Sequence, residues 1–82
     1  MRDQQFLEWA VKEIVEHQDE VKTERIIDER GVLITLSVHP EDMGRVIGRA
    51  GETAKALRTL LRVVGAQEQA AVHLKILEPE RN

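Results

Sequence analysis

The stretch Ile47-Gly48-Arg49-Ala50-Gly51 constrains this chain most, because it stops one helical pattern and starts another. Val46 and Ile47 close a short apolar-periodic segment, and Glu52 opens a longer one carrying Leu57, Leu61 and Val64. Two glycines three positions apart let the backbone turn sharply and leave no Cβ over the turn. The N–H groups that open the second helix are unpaired and sit at the positive end of its dipole, which suits a phosphate. Arg49 adds a full charge between the glycines. The same spacing also marks plain helix–helix turns, so the loop has to be read with the chain around it.

Upstream, residues 3–17 predict an amphipathic helix. Phe6, Ala10 and Ile14 form its stripe, Leu7, Val11 and Val15 widen it, and Asp3 stands as the N-cap. Residues 21–30 predict an exposed edge strand, with Ile26 and Ile27 among charges. After Arg30-Gly31, Val32, Ile34, Leu36 and Val38 alternate with Leu33, Thr35 and Ser37, which predicts a half-buried strand and a hairpin. Pro40, Glu41 and Asp42 read as the first turn of a helix of fewer than three turns that ends at Gly48. Gly44 reads as a point of close approach for a neighbouring helix or a ligand. The second helix, residues 52–64, has Ala54, Leu57, Leu61 and Val64 on one face, broadened by Leu60 and Val63, with Gly65 as terminator at C′. Residues 70–77 predict a last strand, with Val72, Leu74 and Ile76 on one side, and residues 78–82 a polar tail. The order is α-β-β-α-α-β, an α+β fold with three helices on one face of a three-stranded sheet.

The net charge of −3 argues against a partner rich in phosphate until it is resolved along the chain. Residues 1–30 hold nine acids against five bases, whereas residues 43–63 hold five bases, Arg45, Arg49, Lys55, Arg58 and Arg62, against Glu52. Attraction to phosphate follows the local patch more than the total, and the basic part of this chain surrounds the glycine turn. With 82 residues the chain is expected to be one domain, 1–82. It has no cysteine, and no apolar run approaches the ~18 residues of a membrane span. The charged N-terminal segment does not read as a signal peptide, and a cytoplasmic location is expected.

The glycine loop with Ile before it, between an alternating strand and a long amphipathic helix followed by another strand, resembles the KH RNA-binding domain. The element order over residues 3–77 resembles its bacterial, type II form. A lone domain of this length is similar to the small bacterial KH proteins of the KhpA family. The resemblance implies a groove for about four nucleotides of single-stranded RNA. Gly48 and Gly51 would let the RNA backbone approach, Arg49 would pair with a phosphate, and Ala50 would keep the turn small. Val46 and Ile47 would line the apolar side, with Arg45, Lys55 and Arg58 as electrostatic support. It also implies an RNA chaperone in post-transcriptional regulation, linked to cell shape and cell wall biogenesis. Partnership as a homodimer, or as a heterodimer with a KhpB (Jag) KH protein, belongs to the same implication.

Other chemistry finds little footing. A P-loop lacks its GxxxxGK[ST] string, and a dinucleotide fingerprint would need glycine at Val46. His17, His39 and His73 are far apart in the chain, so no metal site is expected. The pairs Asp19-Glu20 and Glu41-Asp42 read as capping or solvated ends, no catalytic triad is visible, and neither an enzyme nor a cofactor nor a small-molecule substrate is expected. Phe6 and Trp9 are the only aromatics, and Trp9 reads as packing or partner contact rather than a base platform. One rival reading is a protein-interaction module with Trp9 and the acidic first helix as its working face. Another is a ribosome-assembly factor using the same groove. Nothing in the chain selects RNA over single-stranded DNA.

Overall fold

Strand β2 (Gly31–Ser37) is the axis of the fold, buried and half-buried residues alternating along its whole length. The computed structural model describes residues 2–78. Strand β1 (Lys22–Asp28) pairs antiparallel on one side of β2, and β3 (Val72–Ile76) pairs parallel on the other. A parallel neighbour cannot be reached through a hairpin, so the chain crosses over between β2 and β3. That crossover is a turn at Pro40–Asp42, helix α2 (Met43–Ile47), the turn Arg49–Gly51 and helix α3 (Glu52–Gln67). Helix α1 (Arg2–Ile14) precedes the sheet. Register places Arg25, Ile34 and Leu74 in one row, and the residues of that row face the helices.

The predicted order of elements holds, with all helices on one face of the sheet. Leu7 and Val11 from α1, Val32, Ile34 and Leu36 from β2, Val46 from α2, Leu57 and Leu61 from α3, and Leu74 from β3 share one core. Shortening a fully buried leucine such as Leu61 to alanine costs about 2–5 kcal/mol.

Several local expectations are corrected. The buried stripe of α1 is Leu7, Val11 and then Val15, while Phe6 and Ala10 only flank it. Asp3 is not the N-cap. It lies buried inside the first turn and pairs with Arg25 of β1, Nε donating at 3.0 Å, which ties α1 to the sheet. The helix stops at Ile14 because the N–H groups of Glu16 and His17 leave the ladder for the carboxylate of Asp42, at 3.1 and 3.0 Å. Asp42 is therefore a buried acceptor for the chain leaving α1 rather than a solvated end.

Strand β1 is shorter than residues 21–30 because Glu29 and Arg30 form the hairpin turn, Arg30 N–H donating to Asp28 Oδ1 at 2.8 Å. Gly65 does not end α3 but lies buried within it, and the helix runs on to Gln67. A Cβ at Gly65 would sit 2.6 Å from Val72 Cγ2 and 2.7 Å from the Ala70 carbonyl, so glycine there lets helix and strand meet. Leu60 and Val63 do not broaden the buried face, since they are 47% and 54% exposed. Gly44 touches no neighbouring helix, because a Cβ there would meet nothing within 4 Å. The last strand occupies Val72–Ile76 rather than 70–77, and of the expected polar tail residues 79–82 lie outside the described residues.

Candidate nucleic-acid interface

The glycine turn is shaped by backbone conformations that few side chains tolerate. Gly48 has φ 78° and ψ 173°, and a Cβ there would sit 2.7 Å from Thr53 Cβ and 2.8 Å from Thr53 N. Gly51 is left-handed at φ 73°, with open space where a side chain would be. Ala50 also lies at positive φ, 55°, the conformation for which an Asn or Asp side chain is better suited. Gly51 N–H closes the turn on the Gly48 carbonyl at 3.1 Å. Among the described residues no side chain caps the N-terminus of α3, whose sixteen residues bring a full dipole to the turn. Gly48, Arg49, Ala50 and Gly51 thus form a small ledge with Arg49 exposed upon it.

From this ledge α3 carries charge along one flank. At 100° per residue Lys55, Arg58 and Arg62 fall together beside the buried stripe, and all three are exposed. Facing Arg58 and Arg62, but not Lys55, across a hollow of about 300 Å³ is the start of β3, and the hollow is lined by those two arginines with Ala71, Val72, His73 and Leu74. One wall is therefore basic helix and the other a strand. Arg62 was absent from the expected binding set, although its spacing from Arg58 and Lys55 carries the signal.

Two expected site residues behave differently. Val46 is fully buried in the core and presents nothing to a groove; in so short a helix the periodicity does not separate it from its neighbour Ile47, which is half-exposed. Arg45 is exposed but turned to the segment that follows α1, donating to Glu16 Oε1 at 2.5 Å, so part of its charge is spent there. Trp9 is 62% exposed, on the side of α1 away from the core, with Phe6 6.3 Å away between ring centres.

The histidines also depart from expectation. His17 and His39 are stacked, ring centres 3.8 Å apart, while His73 lies exposed on β3. The His17 Nδ1 is 2.9 Å from Asp42 Oδ2. That hydrogen bond raises the pKa of His17 above 6.5, against a smaller opposing effect of burial. Burial pushes the Asp42 carboxyl up, but the N–H groups of His17 and Glu16 and the His17 ring favour its anion and bring it to about 2.

A mixed three-stranded sheet with α2, a GxxG turn and α3 crossing between parallel strands defines a type II KH domain. The family model described as KhpA/KhpB, KH domain, matches residues 4–76. The chain belongs to that family. It is 38% identical over 73 residues to the RNA-binding protein KhpA of Clostridium acetobutylicum, covering 89% of this chain and 97% of that one. It is 41% identical over 73 residues to the protein of the same name from Aquifex aeolicus, covering 89% and 92%. Over 61 residues it is 44% identical to the one from Mycobacterium tuberculosis, covering 74% and 76%. No solved structure matches at a significant level.

Proposed function

We propose that this chain binds single-stranded RNA across the Gly48–Gly51 ledge and the hollow beyond it. The observations that carry the reading are an uncapped helix N-terminus, Arg49 exposed beside it, and, further along the same helix, Arg58 and Arg62 lining a hollow with β3. The family membership and the names of the relatives support it. Phosphates rest on the ledge and near Arg49, and Lys55, Arg58 and Arg62 follow the strand along α3. Ile47 supplies the apolar contact. The footprint is about four nucleotides, the span of a KH loop and groove. So small a footprint keeps affinity modest and sequence selection weak, which suits an RNA chaperone in post-transcriptional regulation.

Association with a second KH-domain chain, a copy of itself or a KhpB-like protein, accompanies this function. The support is apolar surface left open away from the groove. Leu60 and Val63 lie on the flank of α3 roughly opposite the arginines, and Trp9 is exposed on α1.

The test is binding of a single-stranded RNA by the wild type and by an Arg49→Asp, Ala50→Asp double variant, with folding checked by circular dichroism. Asp is tolerated at the positive φ of position 50, so the fold is expected to survive. Affinity should fall at least about tenfold, the loss of one charge-assisted contact plus repulsion. Unchanged binding by the folded variant refutes the site. A DNA strand of the same sequence run beside it shows whether the sugar matters.

A further inference from the structure

His17, three residues past the end of α1, and His39 and Glu41, at the turn that enters α2, lie outside the groove residues just assigned. Their rings and carboxylate are gathered closely. The two imidazoles stack at 3.8 Å with planes 11° apart, and Glu41 Oε1 is 3.6 Å from His17 Nε2. One ligand atom from each of the three residues lies within 4.8 Å of the others. Behind them Asp42 receives the His17 Nδ1–H at 2.9 Å and is itself fixed by two backbone N–H groups. This fixes the tautomer: in the neutral ring the proton is on Nδ1 and the lone pair of Nε2 is free toward Glu41.

We propose that His17, His39 and Glu41 form a binding site for a divalent transition-metal ion of the zinc type. Two imidazoles and one carboxylate are a donor set for such an ion, whereas magnesium and calcium demand more oxygens. The buried carboxylate behind His17 repeats the carboxylate–histidine arrangement that orients metal-bound imidazoles. Asp42 is thus a positioning residue and the other three are the ligands. Bonds of about 2.0–2.2 Å in a tetrahedron place ligand atoms roughly 3.4 Å apart. Closure from at most 4.8 Å requires the stacked rings to fan and the 74% exposed Glu41 side chain to swing inward. His39 exchanges one exposed hydrogen bond, from Glu41 N–H to Nδ1 at 3.0 Å, for the metal. Water completes the fourth position. The ion staples the end of α1 to the turn before α2, and the inference does not depend on RNA binding.

The experiment is a calorimetric titration of the full, tag-free chain with zinc sulfate at pH 7.4, followed by cobalt(II) absorption and imidazole nitrogen NMR. One saturable equivalent per chain is expected, with shifts at His17 and His39 and none at His73, and magnesium or calcium should give no heat. His39→Ala and Glu41→Gln leave the Asp42–His17 bond in place and should each weaken zinc by about tenfold or more. His73→Ala should not. Absence of saturable binding below roughly 100 µM overturns the proposal. So do two chains per ion, equal loss in His73→Ala, or wild-type resonances of His17 and His39 that do not move.

Discussion

Replacing Gly65 by alanine separates the packing of this fold from its local propensities. In an exposed helix interior the change stabilises by up to about 1 kcal/mol, because alanine restricts the unfolded chain and favours the helix. At Gly65 the new Cβ would lie 2.6 Å from Val72 Cγ2 and 2.7 Å from the carbonyl oxygen of Ala70. Val72 is buried in the core, and Ala70 is held by its own N–H on the Gly65 carbonyl at 2.9 Å. Neither neighbour moves freely. Overpacking of this kind costs about 1–3 kcal/mol, and the fixed carbonyl places this case in the upper half. Subtracting the propensity gain leaves a net destabilisation of about 1–2 kcal/mol, or roughly 8 °C in a domain of this size.

Gly44→Ala is the matched control, since the same added methyl in α2 meets nothing within 4 Å. It should raise stability by up to about 1 kcal/mol. Urea unfolding of both variants beside the wild type reads the difference directly. Val72→Ala should cost less stability in the Gly65→Ala background than in the wild type, because the added methyl takes up space the valine leaves, while the carbonyl contact remains. A Gly65→Ala protein as stable as Gly44→Ala would refute the close approach of α3 and β3.

Asp42→Asn should flatten the pH dependence of stability. The ionised carboxylate of Asp42, held at about 2 against an ordinary 3.8, contributes fully above about pH 4 and is lost as pH falls toward 2. The charged His17, raised above 6.5, contributes fully below pH 6.5 and is lost as pH rises through its higher folded value. Thermal melts from pH 2 to 8 should therefore show a wild-type plateau between about 4 and 6.5 that the variant lacks. Arg62→Ala should weaken RNA binding and make the log–log salt slope shallower by about 0.7, the share of one single-strand phosphate; an unchanged slope removes Arg62 from the groove. Wild type contacting two or three phosphates should show a slope of about −1.4 to −2.1, and a value near −6 would contradict so small a footprint. Leu60→Asp with Val63→Asp should abolish self-association in sedimentation while leaving RNA affinity within about twofold; no change in mass would show that this flank is not the contact.

What could be read in the chain follows from periodicity. The alternation of Val32, Ile34 and Leu36 fixes a strand and its buried face, and α3 is long enough for Leu57 and Leu61 to define its inner stripe. Glycines three apart between two helices announced the turn that the structure places before α3. Short or terminal elements are another matter. Five residues of α2 do not determine which of Val46 and Ile47 turns inward, and the neighbouring sheet and α3 decide it. Gly65 had the right residue type for a helix stop, yet the contact with Val72 depends on where the last strand lies.

The polar contacts were the least legible because their partners are remote in sequence. Asp42 sits twenty-five residues from His17, and Asp3 twenty-two from Arg25, so neither pair leaves a local pattern. Each joins an end of α1 to something else: Asp3 holds its first turn to β1, and Asp42 holds the chain leaving it to the entrance of α2. These two attachments add to the core contacts of Leu7 and Val11 and to the bonds of Gln4 and Glu8 with Thr23 in fixing α1 on the sheet. They also set the angle at which the chain enters α2, and α2 ends directly at Gly48. The Gly48–Gly51 turn is therefore supported from behind by a carboxylate that lies outside the proposed RNA site. A substitution at Asp42 should consequently change the order of the Gly48–Gly51 turn before it changes the charge of the groove.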